Sequence, residues 1–148
     1  MSTKLKNGQS RYQSQAKVVT IKKFQLLILN KAVRCIGDAE FEKNGDAYLE
    51  FPIIIQGDGS PSVIFNLYLL KKLQQTAQYN CKTFASIANQ LVDFQRFLED
   101  EQLDGLKFHK VRQLNAIFKY RTRLIEQANS GLISASSARS RINAVVNC

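Results

Sequence analysis

The clearest pattern of hydrophobic and polar positions lies between Lys82 and Leu98. Its apolar residues recur three or four positions apart, which is the spacing of one face of an α-helix rather than the alternation of a strand. They are Phe84, Ile87, Ala88, Leu91, Phe94, Phe97 and Leu98. The pattern predicts an amphipathic helix from Lys82 to about Glu101. Its opening residues Lys82, Thr83 and Ser86 suit a helix start whose free N–H groups are either capped or offered to an anion.

Three further segments show the same helical spacing. They cover about residues 62–77, 110–129 and 134–148. Serine residues stand where the first and last of these helices begin and can cap them. The candidate caps are Ser60 or Ser62 and Ser134 or Ser136. Four consecutive helices with short connections predict a compact four-helix bundle.

Each of these three helices has an apolar face that we expect to be buried. In the first it consists of Val63, Leu67, Leu70 and Leu73, widened by Phe65, Tyr68 and Leu69. In the helix from Lys110 it consists of Val111, Leu114, Ile117, Phe118, Leu124, Ile125 and Ala128. In the last helix it consists of Ala138, Ile142, Val145 and Val146.

The chain before these helices has a different character. Residues 1–16 have almost nothing to bury and predict a flexible basic arm. Residues 17–59 predict a small β-rich segment, in which VVTI and YLEFPIII are extended and NGD and GDGSP are turns. The apolar run at 24–36 fits a second strand or a short helix, and we favour the strand. Residues 60–148 then form the four-helix domain, so the fold is expected to be mainly α.

Positive charge is concentrated at both ends of the chain. The net charge is +9. Residues 1–37 hold eight Lys or Arg and no acid, and residues 105–148 hold eight Lys or Arg and one acid, Glu126. A polyanion, most often nucleic acid, is the natural partner for such a distribution. The alternative is that the charge serves only solubility.

Several function classes find no support in the sequence. Three cysteines, odd in number and far apart, argue against a disulfide framework or a zinc knuckle and fit reduced thiols in a cytosol. His109 is the only histidine, and no apolar run approaches the roughly 20 residues of a membrane span. Glu99, Asp100 and Glu101 are adjacent and predict a solvated helix end rather than a catalytic pair. We therefore expect no catalytic residues, metal, cofactor, small-molecule ligand or membrane association.

A basic surface is predicted on the last three helices. Arg112, Lys119 and Arg123 should form one ridge opposite the buried face of their helix. On the last helix, Arg139, Arg141 and Asn143 should lie on the side away from its apolar residues. Arg121 projects into the apolar stripe, where we favour pairing with a carboxylate over contact with a ligand. If the basic faces pack together they can contact phosphates, and otherwise they are solvated surface. The candidate DNA-binding residues are Lys82, Thr83, Ser86, Arg112, Lys119, Arg123, Ser136, Arg139, Arg141 and Asn143.

Four segments in order carry a resemblance to a known family. NLYLLKKL after FPIIIQGDGSPS is similar to a proline-bearing strand, an acidic-glycine turn and a first helix, and KTFASIANQLVDFQRFLED to a second, with Ile87 where Tyr is more usual. FKYRTRL and ISASSARSRINAVV are similar to a third and a fourth helix. Over about residues 50–148 the chain thus resembles the N-terminal core-binding, SAM-like domain of the tyrosine recombinase or phage integrase family.

The resemblance implies a module that clamps duplex DNA at a recombination core site of a phage or mobile element. A separate domain beyond Cys148 would carry the tyrosine nucleophile and its partner residues, so this chain alone is expected to have no strand-cleaving activity. Its partners would be double-stranded DNA and other recombinase protomers, and its location the cytoplasm. The alternative from the residues is a helical protein-interaction or oligomerisation domain with a basic surface.

Overall fold

The structure, a computed structural model, describes residues 15–24, 28–29, 41–42, 48–104, 110–111 and 115–148. Its strands are β1 (Lys17–Phe24), β2 (Ile28–Leu29), β3 (Phe41–Glu42) and β4 (Tyr48–Ile55). β1 and β4 pair antiparallel, with Lys17 opposite Ile55 and Phe24 opposite Tyr48. β2 and β3 form a separate two-residue antiparallel pair. The predicted β element before the helices is therefore present.

Helices account for most of the remaining described residues. They are α1 (Val63–Gln75), α2 (Cys81–Asp100), α3 (Ala116–Asn129) and α4 (Ala135–Asn147). The prediction of a mainly helical chain with a small N-terminal sheet is confirmed. α3 begins at Ala116, later than the predicted start at Lys110. The stretch 112–114, which includes Arg112 and Leu114, lies outside the described residues.

α2 supplies the largest share of a hydrophobic core that the sheet and the helices have in common. The seam predicted for this helix is confirmed, except that Ile87 is half-buried at its edge and Val92 joins it. The buried residues of α2 are Phe84, Ala88, Leu91, Val92, Phe94, Phe97 and Leu98. Phe51 and Ile54 of β4 and Leu69 of α1 belong to the same core. Each of the Val, Leu, Ile and Phe side chains among them contributes about 1.5–3 kcal/mol through burial.

Asn66 joins α1 to the edge of the sheet. Its side-chain oxygen accepts a hydrogen bond from the Ile54 N–H at 2.8 Å, and its amide nitrogen donates to the Ile54 carbonyl at 3.0 Å. The side chain thus takes the place of a neighbouring strand at this position of β4, where an unpaired buried N–H would be costly. The geometry also orients α1, because Asn66 must face β4.

This orientation explains why the predicted face of α1 is only partly correct. The helix buries Phe65, Leu69 and Leu73, the residues that flank Asn66 on its surface. Val63 and Leu67 are instead 65% and 58% exposed. The apolar pattern alone could not separate the two faces, since α1 has apolar residues nearly all round.

Two other predicted faces are wrong in part. In α3 the most deeply buried side chain is Tyr120, which was not assigned to the core, whereas Ile125 is 46% exposed. In α4 Val145 is buried but Val146 is exposed. Val111, placed in the core as part of a longer helix, precedes α3 and is exposed.

The chain that enters β1 is fixed to the C-terminal half of α2. Ala16 is completely buried, its N–H donates to Glu99 Oε2 at 3.3 Å, and its carbonyl accepts from Arg96 Nε at 2.7 Å. Glu99 Oε1 also accepts from the Gly57 N–H at 2.7 Å. Glu99 is therefore no solvated helix end, although Asp100 and Glu101 are exposed. The predicted flexible arm cannot extend to Ala16, and its residues 1–14 lie outside the described part of the chain.

The predicted turn at GDGSP is present between β4 and α1. The Gln56 N–H donates to the Ser60 carbonyl at 2.8 Å, and the Asp58 side chain accepts from the Ser60 N–H and hydroxyl. Gly59 has a φ of +89°, a left-handed conformation that glycine adopts without strain. The other predicted turn, NGD, lies outside the described residues.

We predict that Asn66→Ala lowers the free energy of unfolding by about 1–3 kcal/mol, because the buried Ile54 N–H loses its acceptor. Urea denaturation followed by circular dichroism at 222 nm measures this change. The matched control is Gln74→Ala, which removes an exposed amide from the same helix. Equal effects of the two substitutions would contradict the role given to Asn66.

Candidate nucleic-acid interface

A shallow groove lies between the first half of α2 and the middle of α4. Its lining residues are Lys82, Ala85, Ser86, Asn89, Gln90 and Arg141. The two helices pack against each other, which brings Arg141 beside a stretch of α2 that lies more than 50 residues earlier. Three of the predicted residues, Lys82, Ser86 and Arg141, thus line one feature, which we call the basic groove.

Residues of α2 reach the basic groove because of their helical spacing. Lys82, Ser86 and Asn89 follow at intervals of four and three residues, so they share one face. This face is opposite the aromatic seam. Asn89 and Gln90 were not among the predicted site residues, although the same spacing from Lys82 could have identified Asn89.

The start of α2 is capped by its own chain. The Asn80 side-chain oxygen accepts hydrogen bonds from the N–H groups of Lys82 at 3.0 Å and Thr83 at 3.4 Å. Of the two roles considered for this helix start, the structure shows capping. The side chains of Lys82, Thr83 and Ser86 remain exposed.

The start of α4 is capped in a similar way by Ser134. Its hydroxyl oxygen accepts from the Ser137 N–H at 3.1 Å and lies 3.0 Å from the hydroxyl oxygen of Ser136. Ser136 is therefore part of a serine cluster at the helix start. Its hydroxyl is exposed but already has a protein partner.

Arg139 and Asn143 lie on a different side of α4 from Arg141. At 100° per residue Arg139 and Arg141 are roughly 160° apart around the helix. Arg139 and Asn143 are exposed, whereas Arg141 is half-buried. The prediction that these three residues share one outward face is wrong, because Arg141 is on the side of α4 that faces α2.

The predicted ridge on α3 is also only partly correct. Lys119 is exposed, and Arg112 lies outside the described residues. Arg123 is half-buried, and its guanidinium carbon lies 5.4 Å from the centre of the Phe97 ring, a cation–π distance. The Arg123 side chain therefore packs against the core instead of pointing away from it.

Arg121 does not have the carboxylate partner that we favoured. It is exposed, and in the described ranges it makes no ion pair. Its predicted position in the apolar stripe assumed that Ile125 and Phe118 mark the centre of the buried face. Because Tyr120 and Leu124 occupy that centre, Arg121 is turned toward solvent.

Asp93 connects three helices at the end of the basic groove. Its Oδ2 atom accepts a hydrogen bond from the Tyr120 hydroxyl at 2.6 Å and lies 3.4 Å from Arg141 Nη1. Tyr120 is only 1% exposed, and its ring packs 4.9 Å from that of Phe94 and 5.3 Å from that of Phe97. Burial, together with the hydrogen bond to Asp93, raises the pKa of the Tyr120 phenol. The core thus holds the Asp93 carboxylate in place.

A small polar pocket lies beyond Asp93 on the same side of α2. Arginines and carboxylates line it in equal number, so its net charge is close to zero. Its lining residues are Gln15, Asp93, Arg96, Phe97, Asp100, Tyr120, Arg123 and Gln127. The excess of positive charge therefore lies in the basic groove and not in this pocket.

Among the residues that the structure describes, no group of three or more His, Cys, Asp or Glu side chains could hold a metal ion. No helix among the described residues has the length and apolar character needed to cross a membrane. Cys81 and Cys148 are free thiols, and burial raises the pKa of Cys148 to about 11.

Comparison with known proteins gave no relative. No protein-family model, curated protein or solved structure matched the chain.

We predict that Tyr120→Phe lowers the free energy of unfolding by about 1.5–3 kcal/mol, because a hydrogen bond to a charged acceptor is lost. Since the folded-state pKa of Tyr120 is raised, its contribution is complete below the ordinary tyrosine value of about 10 and is lost as pH rises above it. Urea denaturation of both proteins at pH 7 and above pH 10 tests this.

The difference in stability between wild type and Tyr120→Phe should therefore shrink at high pH. The control is Tyr48→Phe, which changes a half-buried tyrosine of β4 that packs against Phe24 and Tyr79 and not against Asp93. A stability difference for Tyr120→Phe that is independent of pH would contradict the assignment.

Proposed function

We propose that this chain is the core-binding, SAM-like part of a tyrosine-type site-specific recombinase from a phage or other mobile element. It binds duplex DNA at the recombination core site and so serves DNA integration. The observation that carries the proposal is the basic groove, in which Lys82 and Ser86 of α2 meet Arg141 of α4. The order of four helices behind a short sheet is consistent with the family resemblance of the sequence.

The chemistry of the basic groove suits a sugar–phosphate backbone. Lysine and arginine side chains neutralise phosphates, and serine hydroxyls and asparagine amides donate hydrogen bonds to their oxygens. Lys82 also stands in the first turn of α2, where the helix dipole favours an anion. The overall charge of +9 adds a long-range attraction to any polyanion.

The remaining candidate residues have a secondary place in this proposal. Thr83 adjoins Lys82 at the helix start, while Lys119, Arg139 and Asn143 are exposed elsewhere on α3 and α4. These last three extend the positive surface and are not required to touch the same phosphates. We therefore rank the groove residues above them.

The rest of the proposed activity belongs to a separate domain. Strand cleavage and rejoining are assigned to a C-terminal domain with a tyrosine nucleophile, and this chain contributes DNA binding without a cofactor. Other protomers bound to the same DNA are its protein partners. We place the protein in the cytoplasm, where free cysteines such as Cys81 and Cys148 are stable.

The test is a fluorescence-anisotropy titration with a labelled duplex of about 25 base pairs over a range of salt concentrations. Because one phosphate contact is lost, we expect Lys82→Ala to weaken binding and to reduce the slope of log K against log salt by roughly one unit.

The control for Lys82→Ala is Lys71→Ala. It removes the same charge from α1, where Lys71 is exposed and lines another groove with Leu67 and Cys148. The proposal predicts that only Lys82→Ala changes the slope. Equal slopes for both variants would refute the groove as the DNA-binding site, and absence of binding by the wild type would refute the function.

A second candidate function is favoured by a separate observation. Val63, Ile64 and Leu67 form an exposed apolar patch on α1, on the side away from the core. Contiguous exposed apolar residues often mark a protein interface. The alternative is therefore an oligomerisation domain in which this patch meets a second copy of the chain.

Sedimentation equilibrium at about 100 µM protein tests this alternative. A dimer with a dissociation constant of about 1 µM would be largely formed at that concentration. The oligomerisation hypothesis predicts a wild-type dimer that Leu67→Ser converts to a monomer. Leu132→Ser, which changes an exposed leucine between α3 and α4, is the matched control and should stay dimeric. A monomeric wild type would exclude the hypothesis at this concentration.

A further inference from the structure

We propose that Asp93 acts as an electrostatic restraint on the basic groove and lowers its affinity for DNA. The inference rests on the proposed DNA-binding function and assigns a regulating residue to that site. It starts from the ion pair between Asp93 and Arg141. Asp93 partly cancels the charge of an arginine that faces the groove.

The position of the Asp93 carboxylate is fixed from the core side. Tyr120 donates to Oδ2 at 2.6 Å, and its buried ring is held between Phe94 and Phe97. An exposed carboxylate would move away from a bound phosphate at little cost. Asp93 cannot do so without giving up the hydrogen bond from Tyr120, so its negative charge stays at the end of the groove.

The contact with Asp93 weakens the positive field of Arg141 without using up the N–H donors of its guanidinium group. The Nη1–Oδ2 distance of 3.4 Å is longer than the roughly 2.7–2.9 Å of a charge-assisted hydrogen bond. Oδ2 is also the atom that accepts the Tyr120 hydrogen bond. Arg141 therefore keeps N–H donors for another acceptor, while its field is reduced by a carboxylate nearby.

Two other arginines lie near Asp93, but they line the small polar pocket and not the groove. Lys82 is at the far end of the groove, about three helical turns away along α2. Arg96 donates to the Ala16 carbonyl, and Arg123 lies over Phe97 beside the small polar pocket that also contains Asp100. Loss of the Asp93 charge should therefore raise the potential at the Arg141 end of the groove, since Arg141 lies well within the Debye length of about 10 Å.

The deciding variant is Asp93→Asn, whose amide oxygen can still accept from Tyr120. We expect the dissociation constant for a 25-base-pair duplex at 50 mM salt to fall about threefold, and the salt slope to steepen by up to roughly one unit, because Arg141 gains its full effect on a phosphate. Thermal melting of the variant verifies that the fold is retained. If the melting temperature of Asp93→Asn is clearly below that of the wild type, Asp93→Ser replaces it as the uncharged variant.

The matched control is Asp100→Asn. It removes the same charge about two helical turns further along the same face of α2, away from Arg141. The restraint predicts clearly tighter binding for Asp93→Asn than for Asp100→Asn. It also predicts coupling with Arg141: Arg141→Ala should weaken binding less in the wild type than in the Asp93→Asn background.

The outcomes separate the two proposals. Equal tightening by both asparagine variants, additive effects of Asp93→Asn and Arg141→Ala, or weaker binding by Asp93→Asn would overturn the restraint and leave DNA binding intact. A wild type that fails to bind duplex DNA would overturn the proposed function and the restraint together.

Discussion

Burial of the aromatic seam of α2 is the interaction on which the rest of the structure depends. Phe84 meets Phe51 of the sheet, with ring centres 5.9 Å apart, while Phe94 and Phe97 meet Tyr120 of α3. One helix thus packs against both the N-terminal sheet and the later helices. Because side chains in close-packed interiors have little room to move, the opposite face of α2, which carries Lys82 and Ser86, is held in a defined position.

Polar side chains with several partners determine how the other elements sit on this core. Asn66 sets the rotation of α1 by pairing with both backbone groups of Ile54. Glu99 accepts hydrogen bonds from the backbone N–H group just before β1 and from one in the turn before α1. Both residues are near the sheet, where backbone groups would otherwise be buried without partners. The apolar seam therefore supplies stability, and these side chains supply orientation.

The sequence predicted the helices better than it predicted which of their side chains are buried. The existence of four helices follows from their 3.6-residue periodicity, and the α2 face was correct because its polar side is unambiguous. For α1, apolar residues surround the helix, and only the pairing of Asn66 with Ile54 decides which of them are buried. Arg141 was placed on the outer side of α4 by local spacing. Its contact with Asp93 depends on the packing of distant segments, which periodicity does not contain.

Asp93 shows how the core and the candidate site are linked through one side chain. Its backbone belongs to the helix that forms the core, its carboxylate is held by a buried tyrosine, and its charge acts on an arginine of the groove. A surface ion pair usually contributes little to stability, because both side chains lose conformational freedom to form it. Here the carboxylate is already fixed by Tyr120, so little freedom remains to be lost. The electrostatic effect of this pair on the groove can therefore exceed its effect on the fold.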